Sequence, residues 1–240
     1  MKPVIKKGNS FAVIYDASVM EAPEPDYFKT GYWKAGDALV GEAIGRGSAW
    51  FIDATFGPVV LRQFLRGGWV AKISRDKYVF TGVENSRPFR EFIILSSMLE
   101  LGLPVPRPVA ALCEHHGVVS TGALLTARIA GAQTLADLLP ADNADSETRA
   151  AMWGRIGQCI REFHDAGVWH ADLNARNIML DEQLQVFLID FDRARFTPGK
   201  VVDGEGNLKR LKRSLVKLWP DDEIAAMQAA WILLEAGYHD

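Results

Sequence analysis

Three oxygen-bearing side chains at fixed spacing constrain this chain more than any other feature. Asn177 follows Asp172 by five residues, and Asp190 follows Asp172 by eighteen. The first two lie in residues 170–177, His-Ala-Asp-Leu-Asn-Ala-Arg-Asn, and the third directly follows the apolar run of residues 186–189, Val-Phe-Leu-Ile. Any one of them alone would be interpreted as a residue of a turn or a strand end. Three in register around two short strands are hard to obtain by accident.

The pattern H-x-D-x-x-x-x-N with a later aspartate is the kind that phosphoryl transfer needs. That reaction requires a carboxylate near the attacking hydroxyl and oxygen ligands that hold Mg²⁺ against the phosphates of ATP. Asp172 is the predicted carboxylate, and Asn177 and Asp190 are the predicted metal ligands, at the intervals of the kinase catalytic and D-F-G loops. His170 belongs to the same catalytic loop, where we expect it to hold the loop rather than to act as a base.

A Gly-x-Gly turn further upstream is a candidate phosphate-binding loop. Gly45 and Gly47 lie between two predicted strands, and glycines let backbone amides approach phosphates closely. A Gly-x-Gly turn also occurs in hairpins that bind no ligand, so the assignment to phosphate binding depends on the catalytic pattern downstream. Trp50 stands where a third glycine of G-x-G-x-x-G would be, which predicts a different phosphate grip.

A cation on a strand and a glutamate on a helix are expected to complete the ATP site. Glu91, on the first predicted long helix, is the candidate glutamate. Arg62 follows an apolar run where a third strand would place it, whereas Lys72 in Val-Ala-Lys has the more usual surroundings. Arginine binds phosphate well through its planar fork, so the sequence favours Arg62 and leaves Lys72 open.

The distribution of apolar residues predicts an α+β fold of the protein-kinase type with two lobes. Glycine-interrupted apolar runs over residues 37–72 indicate an antiparallel meander, and residues 87–101 have approximately helical spacing. A stronger helix is predicted over residues 147–166. We therefore expect an antiparallel sheet plus one helix in residues 1–129, and a reduced, mainly helical lobe with the catalytic loop in residues 130–240.

Composition and charge exclude several classes of protein. The chain has 240 residues and a net charge of −3, which argues against a general nucleic-acid role. Its two cysteines, Cys113 and Cys159, form no C-x-x-C pair, so neither a disulfide framework nor a cysteine zinc site is indicated. No apolar stretch approaches the roughly 18–20 residues that span a bilayer. A reducing cytoplasm is the expected compartment.

One basic segment departs from this acidic background. Residues 208–218 carry five cations and no acid, so the other residues together have a net charge of −8. The segment predicts a helix with leucines on one face and outward-facing cations on the other. A solvated surface helix is the plain alternative, but such helices usually mix signs. An anionic partner, either a membrane surface or an acceptor, is therefore expected, with the candidate residues Lys209, Arg210, Lys212 and Arg213.

Over about residues 30–218 the chain resembles the lipopolysaccharide kinases, most closely those acting on 3-deoxy-D-manno-octulosonic acid (Kdo). The segments that carry the resemblance are residues 60–68 with their Arg-Gly-Gly turn, 90–92, 102–108, 170–177, 188–193 and the basic run 207–215. The resemblance implies ATP-dependent phosphorylation of the 4-hydroxyl of a Kdo sugar on a lipid A precursor. It also implies a peripheral location on the cytoplasmic face of a Gram-negative inner membrane.

Two departures from protein kinases make a polypeptide substrate unexpected. Asp192 occupies the glycine position of D-F-G, and only fifty residues follow Asp190, with no A-P-E among them. Other small-molecule kinases, of the aminoglycoside or choline type, share the catalytic pattern but usually collect acidic residues for cationic substrates. A catalytically silent kinase-like scaffold is the remaining alternative, and the intact Asp172, Asn177 and Asp190 argue against it.

Overall fold

The computed structural model describes most of the chain and divides it into two compact units. The described residues are 1–43, 49–64, 83–116, 119–139, 146–220 and 223–240. One unit comprises Met1–Ser97 and Pro106–Arg128, and the other comprises Met98–Val105 and Ile129–Asp240. Gly45, Gly47 and Lys72 lie outside the described residues, so their predicted roles stay predictions.

An antiparallel sheet dominates the first unit. Its described strands are β1 (Pro3–Lys7), β2 (Phe11–Asp16), β3 (Leu39–Ala43), β4 (Ala49–Ala54), β5 (Gly57–Phe64), β6 (Pro108–His116) and β7 (Val119–Ala127). They pair in the order β1-β2-β6-β7-β5-β4-β3. The successive pairing of β3, β4 and β5 confirms the predicted meander as far as Phe64.

The expectation of one helix beside this sheet is wrong. The structure has the predicted long helix, here α2 (Arg87–Glu100), and before it the short helix α1 (Thr30–Ala35). Trp33 holds α1 in place, because its ring is buried in the core and its indole N–H donates to the carbonyl of Tyr27 at 2.7 Å. A helix of six residues, as α1 is, has fewer than two turns and is too short to give a clear periodic signal in the sequence.

The second unit is mainly helical, and its strands are short. Its described helices are α3 (Leu135–Leu138), α4 (Ser146–Asp165), α5 (Glu205–Leu218) and α6 (Ile224–His239). Its described strands are β8 (Gln133–Thr134), β9 (Val168–Trp169), β10 (Ile178–Leu180), β11 (Val186–Leu188) and β12 (Arg195–Phe196). Strands β10 and β11 are the two short strands that the sequence indicates around the catalytic pattern, and they pair antiparallel as a hairpin. Within the described ranges, no helix is both long and apolar enough to cross a membrane.

Two glycines fix how α4 is placed and how it ends. At Gly157 a Cβ atom would lie 2.0 Å from the carbonyl oxygen of Leu234, so only glycine allows α4 and α6 to approach this closely. Gly167 has φ +89° and ends α4, and a Cβ there would lie 2.0 Å from the carbonyl oxygen of Thr197. The chain turns at Gly167 into β9 and then into the catalytic loop.

Candidate active site

His170 ties the catalytic loop to the end of strand β11. Its imidazole is buried, Nε2 donates to the carbonyl oxygen of Ile189 at 2.9 Å, and Nδ1 accepts from the backbone N–H of Asp172 at 3.1 Å. Burial lowers the pKa of His170, although the Ile189 carbonyl and nearby carboxylates oppose the shift. The neutral ring has both nitrogens engaged by backbone groups. Its geometry is that of a residue that holds the loop.

Asp172 combines a fixed backbone with an exposed side chain. Its carbonyl oxygen accepts from the side-chain amides of Asn174 at 2.8 Å and Asn177 at 2.9 Å. The same Asn174 accepts from the backbone N–H of Arg176 at 2.9 Å, which caps the short 3₁₀ turn that follows. The side chain of Asp172 nevertheless remains 63% exposed. The carboxylate is therefore accessible to a reactant while its Cα position is held.

Asp190 is brought beside this loop by a backbone hydrogen bond. The N–H of Ile189 donates to the carbonyl oxygen of Asn177 at 3.0 Å, so Asn177 and Asp190 are neighbours. Asp190 has φ +64°, a left-handed conformation that aspartate adopts more readily than most residues. Phe191, which follows, is buried and stacks on Phe163 with ring centroids 5.7 Å apart. The end of the strand is thus anchored in the core.

The donor atoms at Asn177 and Asp190 fit a magnesium ion. The amide nitrogen of Asn177 donates to Asp172, which leaves its carbonyl Oδ1 as the atom available to a cation. Among the described residues no three His, Cys, Asp or Glu side chains converge on one point. Mg²⁺ tolerates this, because it usually takes one or two protein oxygens and completes its octahedron with phosphate oxygens and water. The role of Asn177 and Asp190 as metal ligands stays a prediction.

Helix α5 is attached to the catalytic loop by two side chains that the sequence analysis missed. Asn207 donates to the carbonyl oxygen of His170 at 2.6 Å and accepts from the N–H of the same residue at 3.1 Å. One helical turn beyond Arg210, the hydroxyl of Ser214 accepts from the N–H of Ala175 at 3.1 Å. Between them, Nη1 of Arg210 lies 3.1 Å from Oδ1 of Asp172. In the sequence, polar residues at three- and four-residue spacing within this leucine-rich helix are the signal that could have indicated a polar contact along one face of it.

The prediction that all the cations of this helix face outward is therefore wrong for Arg210, which contacts the catalytic loop. Lys209 forms an ion pair with Glu205 at 2.5 Å, and Nζ of Lys212 lies 4.9 Å from the ring centroid of Trp231. Arg213 is exposed. The helix itself and its apolar face are confirmed, since Leu211 and Leu215 are fully buried and Leu208 and Leu218 are partly buried.

A second buried histidine, also missed, supports Asn207 from behind. Nε2 of His164 lies 3.0 Å from Oδ1 of Asn207, and Nδ1 lies 2.9 Å from the hydroxyl of Tyr238. Since the Asn207 oxygen can only accept, His164 donates a hydrogen bond through Nε2, and its Nδ1 accepts a hydrogen bond from the hydroxyl of Tyr238. Burial lowers the pKa of His164, although the bond to Asn207 opposes the shift. A neutral network thus connects α4, α5 and α6 to the catalytic loop.

In the first unit, the structure brings Arg62 and Glu91 together. Glu91 on α2 is 3% exposed, and its carboxylate accepts a hydrogen bond from the guanidinium of Arg62 on β5. That guanidinium also lies 4.8 Å from the ring centroid of Phe64. These are the residues that the sequence analysis favoured as a pair. Their contact with nucleotide stays a prediction.

Comparison with known proteins gives the family. The model of the lipopolysaccharide kinase (Kdo/WaaP) family matches residues 30–238. The chain belongs to this family. The resemblance drawn from its motifs is thereby confirmed, and as a lipopolysaccharide kinase the chain is a phosphotransferase that acts on a hydroxyl group. Its mixed fold, with a large antiparallel sheet and helices, agrees with a kinase-like architecture.

Several curated relatives share a name and match nearly full length. A protein of Stenotrophomonas maltophilia (strain R551-3), named 3-deoxy-D-manno-octulosonic acid kinase, is 42% identical over 95% of this chain and 89% of its own. Its namesake in Xanthomonas euvesicatoria pv. vesicatoria (strain 85-10) is 43% identical over 86% of this chain and 81% of its own. A third, from Xylella fastidiosa (strain M23), is 38% identical over 90% of this chain and 84% of its own.

Proposed function

We propose that this lipopolysaccharide kinase transfers the γ-phosphoryl group of ATP to the 4-hydroxyl of a Kdo sugar on a lipid A precursor. The names of its relatives support the sugar. The observation that carries the chemistry is the exposed carboxylate of Asp172, whose backbone is fixed beside the oxygen donors of Asn177 and Asp190. A hydroxyl acceptor needs this combination of access and position.

In the proposed reaction Asp172 is the general base. Its carboxylate accepts the proton of the sugar hydroxyl as the oxygen attacks the γ-phosphorus, and the bond from that phosphorus to the bridging oxygen breaks to release ADP. His170 does not take part in the proton transfer; it holds the backbone of Asp172 through Nδ1. Proximity and orientation account for most of the rate enhancement in such a reaction.

Residues in each of the two predicted lobes, 1–129 and 130–240, are proposed to bind Mg-ATP. Asn177 and Asp190 would hold Mg²⁺, which neutralises developing charge on the phosphates when bound. Arg62, oriented by the buried carboxylate of Glu91, would contact the phosphates through its planar fork. Gly45 and Gly47 would supply backbone amides to the same phosphates.

The basic face of α5 is proposed to meet the anionic acceptor and the membrane that carries it. Lys209, Lys212 and Arg213 are exposed on this helix. A cation near an anionic bilayer contributes on the order of 1 kcal/mol, so three would give reversible peripheral attachment to the cytoplasmic face of the inner membrane. The pairing of Lys209 with Glu205 reduces its share. Neither nucleic acid nor a protein substrate is proposed as a partner.

An acceptor panel tests the function. The purified protein is incubated with Mg-ATP and, in separate reactions, with a Kdo-bearing lipid A precursor, the same lipid without Kdo, an aminoglycoside and choline, and products are identified by mass spectrometry. We expect one added phosphate on the Kdo-bearing lipid alone. Phosphorylation of the aminoglycoside or of choline would contradict the proposal. Binding of ATP without transfer to any acceptor would favour a silent scaffold.

A further inference from the structure

The ion pair between Arg210 and Asp172 stands at the centre of the attachment of α5 to the catalytic loop. Asn207 and Ser214 bind the loop backbone at His170 and Ala175, on either side of it. Residues at positions i, i+3 and i+7 share one face of a helix, so Arg210 lies between these two anchors. The backbone of Arg210 is therefore held beside the loop, and from there its guanidinium reaches the carboxylate of Asp172.

The loop carries a cation of its own, but that cation is not the partner of Asp172. Arg176 is exposed, and the ion pair of Asp172 among the described residues is with Arg210. Only Oδ1 of the carboxylate contacts the guanidinium, at 3.1 Å. The second oxygen, Oδ2, is thus left for another ligand. An arginine can hold a carboxylate in this way at any working pH, because its guanidinium does not lose its proton in proteins.

The exposure of the pair indicates what it contributes. Arg210 is 43% exposed and Asp172 is 63% exposed, and ion pairs between such side chains add little to the stability of a fold. An unheld, exposed aspartate would instead populate several rotamers. Fixing one oxygen of the carboxylate selects the rotamer in which the other faces an incoming hydroxyl. The effect belongs to the reaction and not to folding.

We propose that Arg210 is a positioning residue that orients the carboxylate of Asp172 for proton abstraction, an inference that rests on the proposed role of Asp172 as the base. Arg210 thereby differs from Lys209, Lys212 and Arg213, which are assigned to the acceptor and the membrane. Its loss lowers turnover, leaves the Michaelis constant of the acceptor nearly unchanged and does not affect the melting temperature. Lysine, with a single-point ammonium in place of the fork, restores only part of the function.

A double-mutant cycle on the full-length protein tests this inference. The variants are Arg210→Ala, Arg210→Lys, Asp172→Asn and the combination of Arg210→Ala with Asp172→Asn. The control is Lys217→Ala, because Lys217 is exposed on the same helix, seven residues further along the same edge, and no described ion pair involves it. The measurements are kcat and the acceptor KM with the Kdo-bearing lipid, the melting temperature, and rescue by free guanidinium ions.

We expect Arg210→Ala to lower kcat by about 10–100-fold, the size of a small misplacement of a reacting group. The same change in the Asp172→Asn background should cost less than about threefold, since residues that act as a unit are not additive. Guanidinium should restore part of the activity of Arg210→Ala, and Lys217→Ala should match wild type. A full additional loss in the double variant, a change confined to the acceptor KM, or wild-type kcat in Arg210→Ala would each overturn the inference.

The proposed function can fail separately. If the wild-type protein transfers no phosphate to the Kdo-bearing lipid, the substrate assignment falls, and the same variants are then compared by their slow hydrolysis of ATP to water. Loss of hydrolysis in Arg210→Ala that is absent from Lys217→Ala and not additive with Asp172→Asn would still support the positioning role. Equal hydrolysis in Arg210→Ala and wild type would overturn it.

Discussion

The two units use their carboxylates in opposite ways. In the first unit, Glu91 and Asp16 are buried and permanently paired with arginines: Glu91 contacts Arg62, and Oδ2 of Asp16 lies 2.5 Å from Nη2 of Arg107. In the second unit, the carboxylate of Asp172 is mostly exposed. The buried carboxylates of Glu91 and Asp16 are therefore fixed parts of the fold, whereas the carboxylate of Asp172, to which we assign proton abstraction, is accessible to a substrate.

The hydrogen bonds that fix the backbone of the catalytic loop come from uncharged side chains. The loop is held by the neutral imidazole of His170 and the amides of Asn177 and Asn207, through contacts to backbone groups. Arg210 does contact the loop, but through Oδ1 of the Asp172 side chain. Neutral hydrogen bonds to the backbone position the loop without adding a further cation that would compete with Mg²⁺ for the carboxylates. In the first unit, guanidinium ions pair with the buried acids themselves.

Removing the accessible carboxylate should have the largest effect on activity. Asp172→Asn keeps the shape of the side chain and abolishes its basicity, so we expect turnover to fall by about 10²–10⁴-fold, or about 3–5 kcal/mol of barrier. The affinity for ATP and the melting temperature should be close to wild type, because this side chain is exposed. Steady-state kinetics and calorimetric titration with nucleotide check both parts. Near wild-type turnover in a folded variant would remove the assignment.

Removing the buried carboxylate should affect stability as well. Glu91→Gln removes the buried charge that pairs with the mostly buried guanidinium of Arg62, and we expect a loss of about 2–3 kcal/mol in the free energy of unfolding. The matched control is Glu24→Gln in the same unit, which breaks the exposed Lys6–Glu24 pair and should cost less than about 1 kcal/mol. Urea unfolding measures the two. Equal losses would contradict the distinction between buried and exposed acids.

The cation opposite Glu91 should determine ATP binding. We expect Arg62→Ala to raise the Michaelis constant for ATP or reduce turnover by about 10-fold or more, because one charge-assisted contact to phosphate is lost. Lys72→Ala should behave as a surface change. Parallel ATP titrations of the two variants decide the matter. If Lys72→Ala lost activity while Arg62→Ala stayed active and stable, Lys72 and not Arg62 would be the cation that contacts the phosphates of ATP.

Acid should weaken the two units in different pH ranges. Burial lowers the pKa of His164 and His170 in the folded state, so the unfolded chain takes up their protons first, and stability that is complete above about pH 6.5 falls as the pH decreases. Burial of Asp16 disfavours its charge, but hydrogen bonds from Lys2, Ser18 and Arg107 hold its pKa well below the usual range. Its contribution is therefore present above about pH 4 and is lost only below it.

Hydrogen exchange at pH 7.5, 6.5, 5.5 and 4.5 measures each unit separately. We expect protection around the catalytic loop to decrease first, and the strands beside Asp16 to keep theirs down to about pH 4. His164→Gln, which has no proton to gain in this range, should flatten part of the dependence in the second unit. Loss of protection in both units at the same pH would contradict the separation.

The basic face of α5 should give the smallest effect per residue. Changing the three exposed cations that are assigned to the membrane to serine is expected to weaken binding to anionic vesicles by up to about 1 kcal/mol for each charge, and high salt should erase the difference. Vesicle co-sedimentation at low and high salt measures this for Lys209, Lys212 and Arg213. The control removes three exposed lysines of the first unit, Lys2, Lys7 and Lys34. If vesicle binding were weakened equally in both triple variants, or in neither, α5 would be an ordinary solvated helix with no role in membrane binding.

The sequence predicted best where a local signal determines a local structure. Thr134 is a typical residue to begin a helix, and its hydroxyl accepts from the N–H of Asp137 at 3.2 Å at the start of α3. The leucines predict α5 correctly, and the catalytic pattern lies beside two short strands, as expected. The helical spacing of residues 87–101 predicts α2 but not the edge of its buried face, because the apolar Ile93 is 45% exposed.

The sequence failed where the structure depends on distant or featureless segments. Helix α6 is largely apolar, so it shows no helical period, and strand β2 is a short apolar run that pairs with β6, far along the chain. Asn207 bonds to His170, thirty-seven residues earlier, and the polar spacing along α5 does not indicate which segment of the chain it contacts. The same holds for Arg210, whose charge indicated an anionic partner but not that the partner is Asp172.

The position of the transferred phosphate tests the central claim most directly. The product made from Mg-ATP and a Kdo-bearing lipid A precursor is isolated, and phosphorus–proton correlation NMR identifies the carbon that carries the new ester. We predict a single phosphate on the 4-oxygen of Kdo, formed by the wild-type protein and reduced about 10²-fold or more with Asp172→Asn. A phosphate on another hydroxyl, or equal amounts of product from the wild type and Asp172→Asn, would contradict the account.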